Sequence, residues 1–104
     1  MASFNLFQHL IRQQKWSEKT FGPGPRPYGI CNHIRKELRE IEEFPNDLSE
    51  WIDVAILALD GAWRAGYGPD EIIGGLIRKQ EINEGRKWPD WRQFTNGEAI
   101  EHIK

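Results

Sequence analysis

The sequence predicts an all-α protein, a small bundle of four main helices forming one domain over residues 1–104. Three observations lead there. Apolar residues recur at three- and four-residue spacing in four segments, and no segment alternates with period two. Glycine and proline cluster where those segments break. A chain of 104 residues is one domain at most, and one this short gains from oligomerisation.

The first helix is expected over residues 3–17, with Ser3 as N-cap and Phe4, Phe7, Leu10 and Ile11 on its apolar face. It gives way to TFGPGPRPYG, residues 20–29, which carries three glycines and three prolines. A second helix should run from Ile30 to Phe44 and stop at Pro45. Asn46 or Asp47 caps the third, and DLSE has the pattern of a capping box. That helix, Leu48 to Ala65, closes at Gly66. Pro69 suits the first turn of a fourth helix ending near Lys87, before Pro89, and NGEAIEHIK reads as a frayed terminal helix.

Composition narrows the function. The formal net charge is −2 and the isoelectric point about 5.9, which argues against general binding of nucleic acid or anionic membranes. The lone cysteine, Cys31, forms no intrachain disulfide and is expected as a buried, inert thiol on the second helix. The N-terminal stretch lacks the pattern of a signal peptide, and no apolar run is long enough to span a bilayer. A cytoplasmic protein is expected. No His/Cys spacing suggests zinc.

The acids carry the strongest signal. From Glu37 to Asp60 eight acids face a single base, Arg39. Glu37 and Glu40 flank the apolar stripe of the second helix, and His33 lies one turn before Glu37. On the third helix Glu50, Asp53, Asp60 and Arg64 share a narrow strip beside a broad apolar surface that includes Trp51 and Trp63. Taken alone, that strip is a solvated face on which Asp60 and Arg64 pair at (i, i+4). Taken with the second helix, Glu37, Glu40, Glu50 and Asp53 converge across an antiparallel pair. Four carboxylates together need a cation, and hard divalent ions prefer oxygen ligands.

These residues, in KELREIEE…DLSEWIDVAILALD, resemble the MazG-type all-α nucleotide pyrophosphohydrolases, marked by Glu-x-x-Glu followed by Glu-x-x-Asp. The longer run TFGPGPRPYGICNHIRKELREIEEFPNDLSEWIDVAILALDGAWRAG, with KQEINEGRKWPDW, is similar to the phage-associated MazZ branch of dATP/dGTP diphosphohydrolases. The resemblance covers residues 16–92. It implies hydrolysis of purine deoxynucleoside triphosphates to monophosphate and pyrophosphate, by water attack at the α-phosphorus. It implies Mg²⁺ or Mn²⁺ held by Glu37, Glu40, Glu50 and Asp53. One of these carboxylates, with Glu37 as one candidate and the choice among the four open, would take the water's proton. It also implies a homo-oligomer, dimer or tetramer, and the host cytoplasm if the chain is phage-encoded. Only nine residues separate Glu40 from Glu50, fewer than in most such proteins, so a shifted set using Glu43 stays open.

Lys79, Asn83 and Arg86 share a face of the fourth helix. Alone they read as a solvated stripe at a helix end. By resemblance they match the stretch that contacts phosphates. For base or sugar the candidates are Trp16, Phe21, Gly22, Gly24, Arg26 and His33. The Gly/Pro loop is not a phosphate cradle, because Pro23, Pro25 and Pro27 delete the amide donors such a cradle needs. It reads as a semi-rigid pocket wall, with a plain connector as the alternative. Trp88 and Trp91 read as core or interface packing residues, with stacking on a base as the alternative. Two rival functions remain: a non-catalytic helical dimerisation or partner-binding module, and the same chemistry on a pyrimidine or non-canonical nucleotide.

Overall fold

The computed structural model describes residues 3–104. It is all-helical, with α1 (Leu6–Phe21), α2 (Pro27–Glu43), α3 (Leu48–Arg64), α4 (Pro69–Gly85) and a short 3₁₀ turn, Trp91–Gln93. The chain divides into two compact units, Met1–Ile73 and Gly74–Lys104. Among the described residues no helix is long and apolar enough to cross a membrane.

Local chemistry fixes the helix ends. Asn5, rather than Ser3, caps α1: its Oδ1 accepts from Gln8 N at 3.0 Å, which satisfies one orphan first-turn amide. Ser3 and Phe4 therefore lie before the helix. At the far end α1 continues to Phe21, beyond the expected residue 17, and Gly22 breaks it with φ 87° and ψ 169°. Helix α2 begins three residues earlier than expected, because Pro27 has its φ already set for a first turn and no amide to lose there. Asp47 caps α3 by accepting from Ser49 N (3.0 Å) and Ser49 Oγ (2.7 Å). Gly66, at φ 106°, donates its amide to Trp63 O and ends the third helix as expected.

The capping box predicted at DLSE does not form. Asp47 N donates to Phe44 O (3.1 Å), so Glu50 has no cap amide to receive and is released for other contacts. That single substitution of partners matters for the site.

Helix α3 is the centre of the first unit. Helix α2 folds back along it: Ile30, at the start of α2, lies 3.8 Å from a β-carbon built on Gly61 near the end of α3. Helix α1 runs parallel to α3 at a constant offset. Gln13 Nε2 donates to Ile56 O (2.8 Å), and one turn later Ser17 Oγ donates to Asp60 Oδ1 (2.7 Å). The buried face of α1 is accordingly Leu10, Gln13 and Ser17; of the expected apolar stripe Leu10 is buried, whereas Phe4, Phe7 and Ile11 are exposed. Among the described residues the buried apolar ones are Leu10, Ile30 and Ile41, beside four buried polar ones: Gln13, Ser17, Asp60 and Arg64. The first unit is thus held by a polar seam as much as by apolar packing. Cys31 is exposed, which corrects the expectation of a buried thiol.

In the second unit α4 stops at Gly85, two residues short of Lys87, and Asp90 caps the 3₁₀ turn through Arg92 N (3.0 Å). No terminal helix follows. Thr95 N donates to Glu98 Oε1 (2.8 Å), and Ile103 N reaches back to Lys87 O (2.8 Å).

Candidate active site

Where α2 ends and α3 begins, Glu37, Glu40 and Glu50 bring ligand oxygens within 4.8 Å of one another. Glu37 and Glu40 come from neighbouring turns of α2, and Glu50 joins them from the first turn of α3 because its cap role is vacant. Glu43 is not in this group, so the shifted set finds no geometric support. Asp53 lies one turn further along α3, outside the tight triple. It lines a cavity with Glu37 and helps raise the Glu37 pKa by its charge.

The electrostatics are strained in one direction. Burial, followed by the charge of Glu40, pushes the Glu37 carboxyl above its ordinary value. A hydrogen bond to Glu40 that favours the protonated form, followed by burial, pushes Glu50 from 4.5 up to about 7. Glu37 Oε2 and Glu50 Oε2 are buried and accept no hydrogen bond. A buried acceptor without a partner is costly. The oxygen-only donor set, its two orphaned atoms and its mutual repulsion all fit a hard divalent cation.

A cavity of about 290 Å³ opens beside the acids. Helix α1 supplies Trp16 and Phe21 to it, meeting edge to face at 5.5 Å between ring centres. From α2 come His33 and Glu37, with His33 Nε2 3.4 Å from Glu37 Oε1. Ile56 and Leu57 of α3 give an apolar floor. The cavity therefore joins an aromatic wall to a carboxylate rim, suited to a planar apolar group carrying an anionic, metal-binding tail.

Of the remaining base and sugar candidates, Gly22, Gly24 and Arg26 do not line this cavity. Arg64 Nη1 donates to the carbonyls of Gly22 (2.8 Å) and Gly24 (2.9 Å). Arg26 borders a different, largely apolar hollow with Ile30, Cys31 and Gly61, and its guanidinium sits 5.8 Å from the Phe21 ring centre. Asp60 and Arg64 pair at 3.1 Å as spacing predicts, but both are buried, which overturns the solvated-face reading for these two. Trp51 is exposed and donates its indole N–H to Pro45 O (2.9 Å).

Lys79, Asn83 and Arg86 belong to the second unit. Arg86 lies just past α4 and donates to Asn83 Oδ1 (3.3 Å), while Asn83 O accepts from the Trp88 indole (2.7 Å). Trp88 packs edge-on to His102, 5.9 Å between ring centres. The residues that spacing missed are Gln13 and Ser17. Both look like surface polar positions in a linear reading, and only the α1–α3 register shows them buried.

A family model described as dATP/dGTP pyrophosphohydrolase matches residues 10–104. The chain belongs to that family. Among curated proteins it is similar to the Eaa protein of Salmonella phage P22, 39% identical over 91 residues, covering 86% of this chain and 27% of the relative. It is also similar to a dATP/dGTP diphosphohydrolase of Salmonella phage PMBT28, 33% identical over 87 residues, covering 83% of this chain and 29% of the relative. The chain thus spans under a third of the length of either relative. No solved structure matches it. Family membership agrees with the resemblance drawn from Glu-x-x-Glu and Glu-x-x-Asp.

Proposed function

We propose that this family member hydrolyses dATP and dGTP to the monophosphate and pyrophosphate by attack of water at the α-phosphorus. One observation carries the reading: three carboxylates, two with buried and unpartnered oxygens, converge beside a cavity walled by Trp16 and Phe21. Family membership supplies the substrate class.

Glu37, Glu40 and Glu50 would hold the ion, with Asp53 completing the set from the next turn. Mg²⁺ or Mn²⁺, when bound, supplies positive charge for a triphosphate and offsets the repulsion among the acids. Glu37 borders both the acid cluster and the cavity, which suits it to take the proton from the attacking water at a carboxylate oxygen. His33, beside Glu37 Oε1, orients that carboxylate. Trp16 and Phe21 receive the base on an apolar wall that also excludes water. For Lys79, Asn83 and Arg86 the support is the family resemblance, which assigns such residues charge-assisted contacts to phosphate.

The protein works as a homo-oligomer in this reading. Phe44, Leu48, Trp51 and Ile52 are all exposed around the α2–α3 turn, and this apolar face is the one assigned to a second copy of the chain.

The test is a panel of nucleoside triphosphates with Mg²⁺ or Mn²⁺, scoring pyrophosphate against orthophosphate. Pyrophosphate from dATP and dGTP, well above that from dCTP or dUTP, is the expected result. Equal rates on the pyrimidines would remove the purine assignment, and no release from any of them would sink the enzyme reading in favour of a non-catalytic module.

A further inference from the structure

Arg64 spends all of its guanidinium N–H donors inside the protein. Nε donates to Asp60 Oδ2 (3.1 Å). Nη1 donates to the carbonyls of Gly22 (2.8 Å) and Gly24 (2.9 Å). Nη2 donates to Ser17 Oγ (2.9 Å) and, at the longer distance of 3.3 Å, to Ser17 O. A guanidinium has five such donors in a rigid plane, and here each has an acceptor. The ring of contacts closes on itself, since Ser17 Oγ also donates to Asp60 Oδ1 (2.7 Å). The Arg64 side chain is 1% exposed, so it is no contact for a phosphate in solution.

The loop side is built to receive it. Pro23 and Pro25 remove donors from the loop, while Gly22 and Gly24, at φ 87° and 86°, adopt backbone that other residues rarely enter. Two carbonyls separated by one proline then converge on a single nitrogen. The loop's other hydrogen bonds are local: Gly22 N to Glu18 O, and Ile30 N to Arg26 O. Among the described residues, Arg64 alone ties the loop by hydrogen bonds to α3. Immediately before Gly22 stands Phe21, in the wall of the cavity that Ser17 and Asp60 also line.

We propose that Arg64, seated by Ser17 and Asp60, is a positioning residue that clamps the Gly22–Gly24 loop and holds Phe21 in place, thereby setting base selectivity. The inference rests on reading the 290 Å³ cavity as the nucleotide pocket. Lysine cannot replace arginine here. It keeps the charge near Asp60, but one ammonium cannot reach Ser17 and both loop carbonyls in the geometry of a planar fork.

R64K therefore separates clamp from charge, with two readouts. In the unliganded protein, backbone order parameters at Gly22 and Gly24 should drop from rigid values of about 0.85 to below about 0.6, while those of α3 stay put. In kinetics, KM for dGTP should rise about tenfold with kcat changed by less than about threefold. The preference for dGTP over dCTP in kcat/KM should fall in parallel. A merely structural Arg64 would lower the melting temperature and leave the KM-to-kcat split and the preference untouched. Unchanged order parameters in R64K overturn the clamp, whatever the enzyme does. A mobile loop with unchanged KM and preference overturns the selectivity role. If wild type hydrolyses no triphosphate, the selectivity role falls with the functional reading, and the order parameters still decide the clamp. Should R64K fail to fold, S17A, which deletes one acceptor and leaves the Asp60 pair, carries both readouts in the same direction with smaller shifts.

Discussion

Glu50 shows how one side chain is diverted from structure to chemistry. At the third position of α3 it would ordinarily receive the cap amide, but Phe44 O takes that amide and Glu50 turns toward Glu37 and Glu40. The diversion raises its pKa to about 7. The folded, metal-free protein then holds a proton that the unfolded chain releases above about 4.5. Stability of the metal-free protein should therefore fall as pH rises from about 4.5 to about 7, by linkage. Divalent cation should reverse that loss, because it replaces the proton, and its affinity should climb over the same window. Melting curves with chelator and with Mn²⁺ check both directions; a flat metal-free profile would contradict them. Glu50→Gln should cut turnover by about a hundredfold or more and weaken Mn²⁺ binding, yet melt no lower than wild type at pH 7 without metal, since it removes a repulsion. The acids were legible in the sequence because paired spacing survives in a linear reading. Asp53 was placed on the correct face but not its distance from the triple, which depends on how α2 and α3 face each other.

At the scale of elements, Gly22 and the α1–α3 seam decide where the aromatic wall stands. Gly22, at φ 87° and ψ 169°, occupies a region all but closed to residues with a β-carbon. Gly22→Ala should cost about 1–3 kcal/mol in denaturant unfolding even though open space surrounds the added methyl. Loss near zero would mean the loop adopts another conformation. Breaking the buried pair with Asp60→Ala should cost more, about 3–5 kcal/mol, because it leaves Arg64 charged and unpaired. The helices were readable from apolar spacing, Pro69 and Gly66. Several boundaries were not. Helix α1 is capped by Asn5 rather than Ser3 and extends through Thr20, whose hydroxyl donates to Trp16 O (2.8 Å). Helix α2 gains a turn from Pro27, and α4 stops at Gly85. The seam was hidden for a different reason. Its contacts join residues more than forty apart, and Gln13, Ser17, Asp60 and Arg64 are all types that a periodicity argument assigns to solvent.

For the whole molecule, three buried apolar residues among those described are a thin core, and Trp51, Leu48 and Phe44 around the α2–α3 turn are each exposed. A second copy covering the α2–α3 turn, as proposed, would account for both, and light scattering at micromolar concentration should then give a multiple of the 12.2 kDa chain mass. Trp51→Glu should shift it toward the monomer; a wild-type monomer would remove the oligomer from the account. The chemistry proposed at Glu37, Glu40 and Glu50 is tested by hydrolysis of dGTP with Mn²⁺ in heavy-oxygen water. Attack at the α-phosphorus puts the label in the monophosphate and none in the pyrophosphate, and Glu50→Gln should lose the reaction. Label in the pyrophosphate, or free orthophosphate as the product, would put the attack at another phosphorus and contradict it.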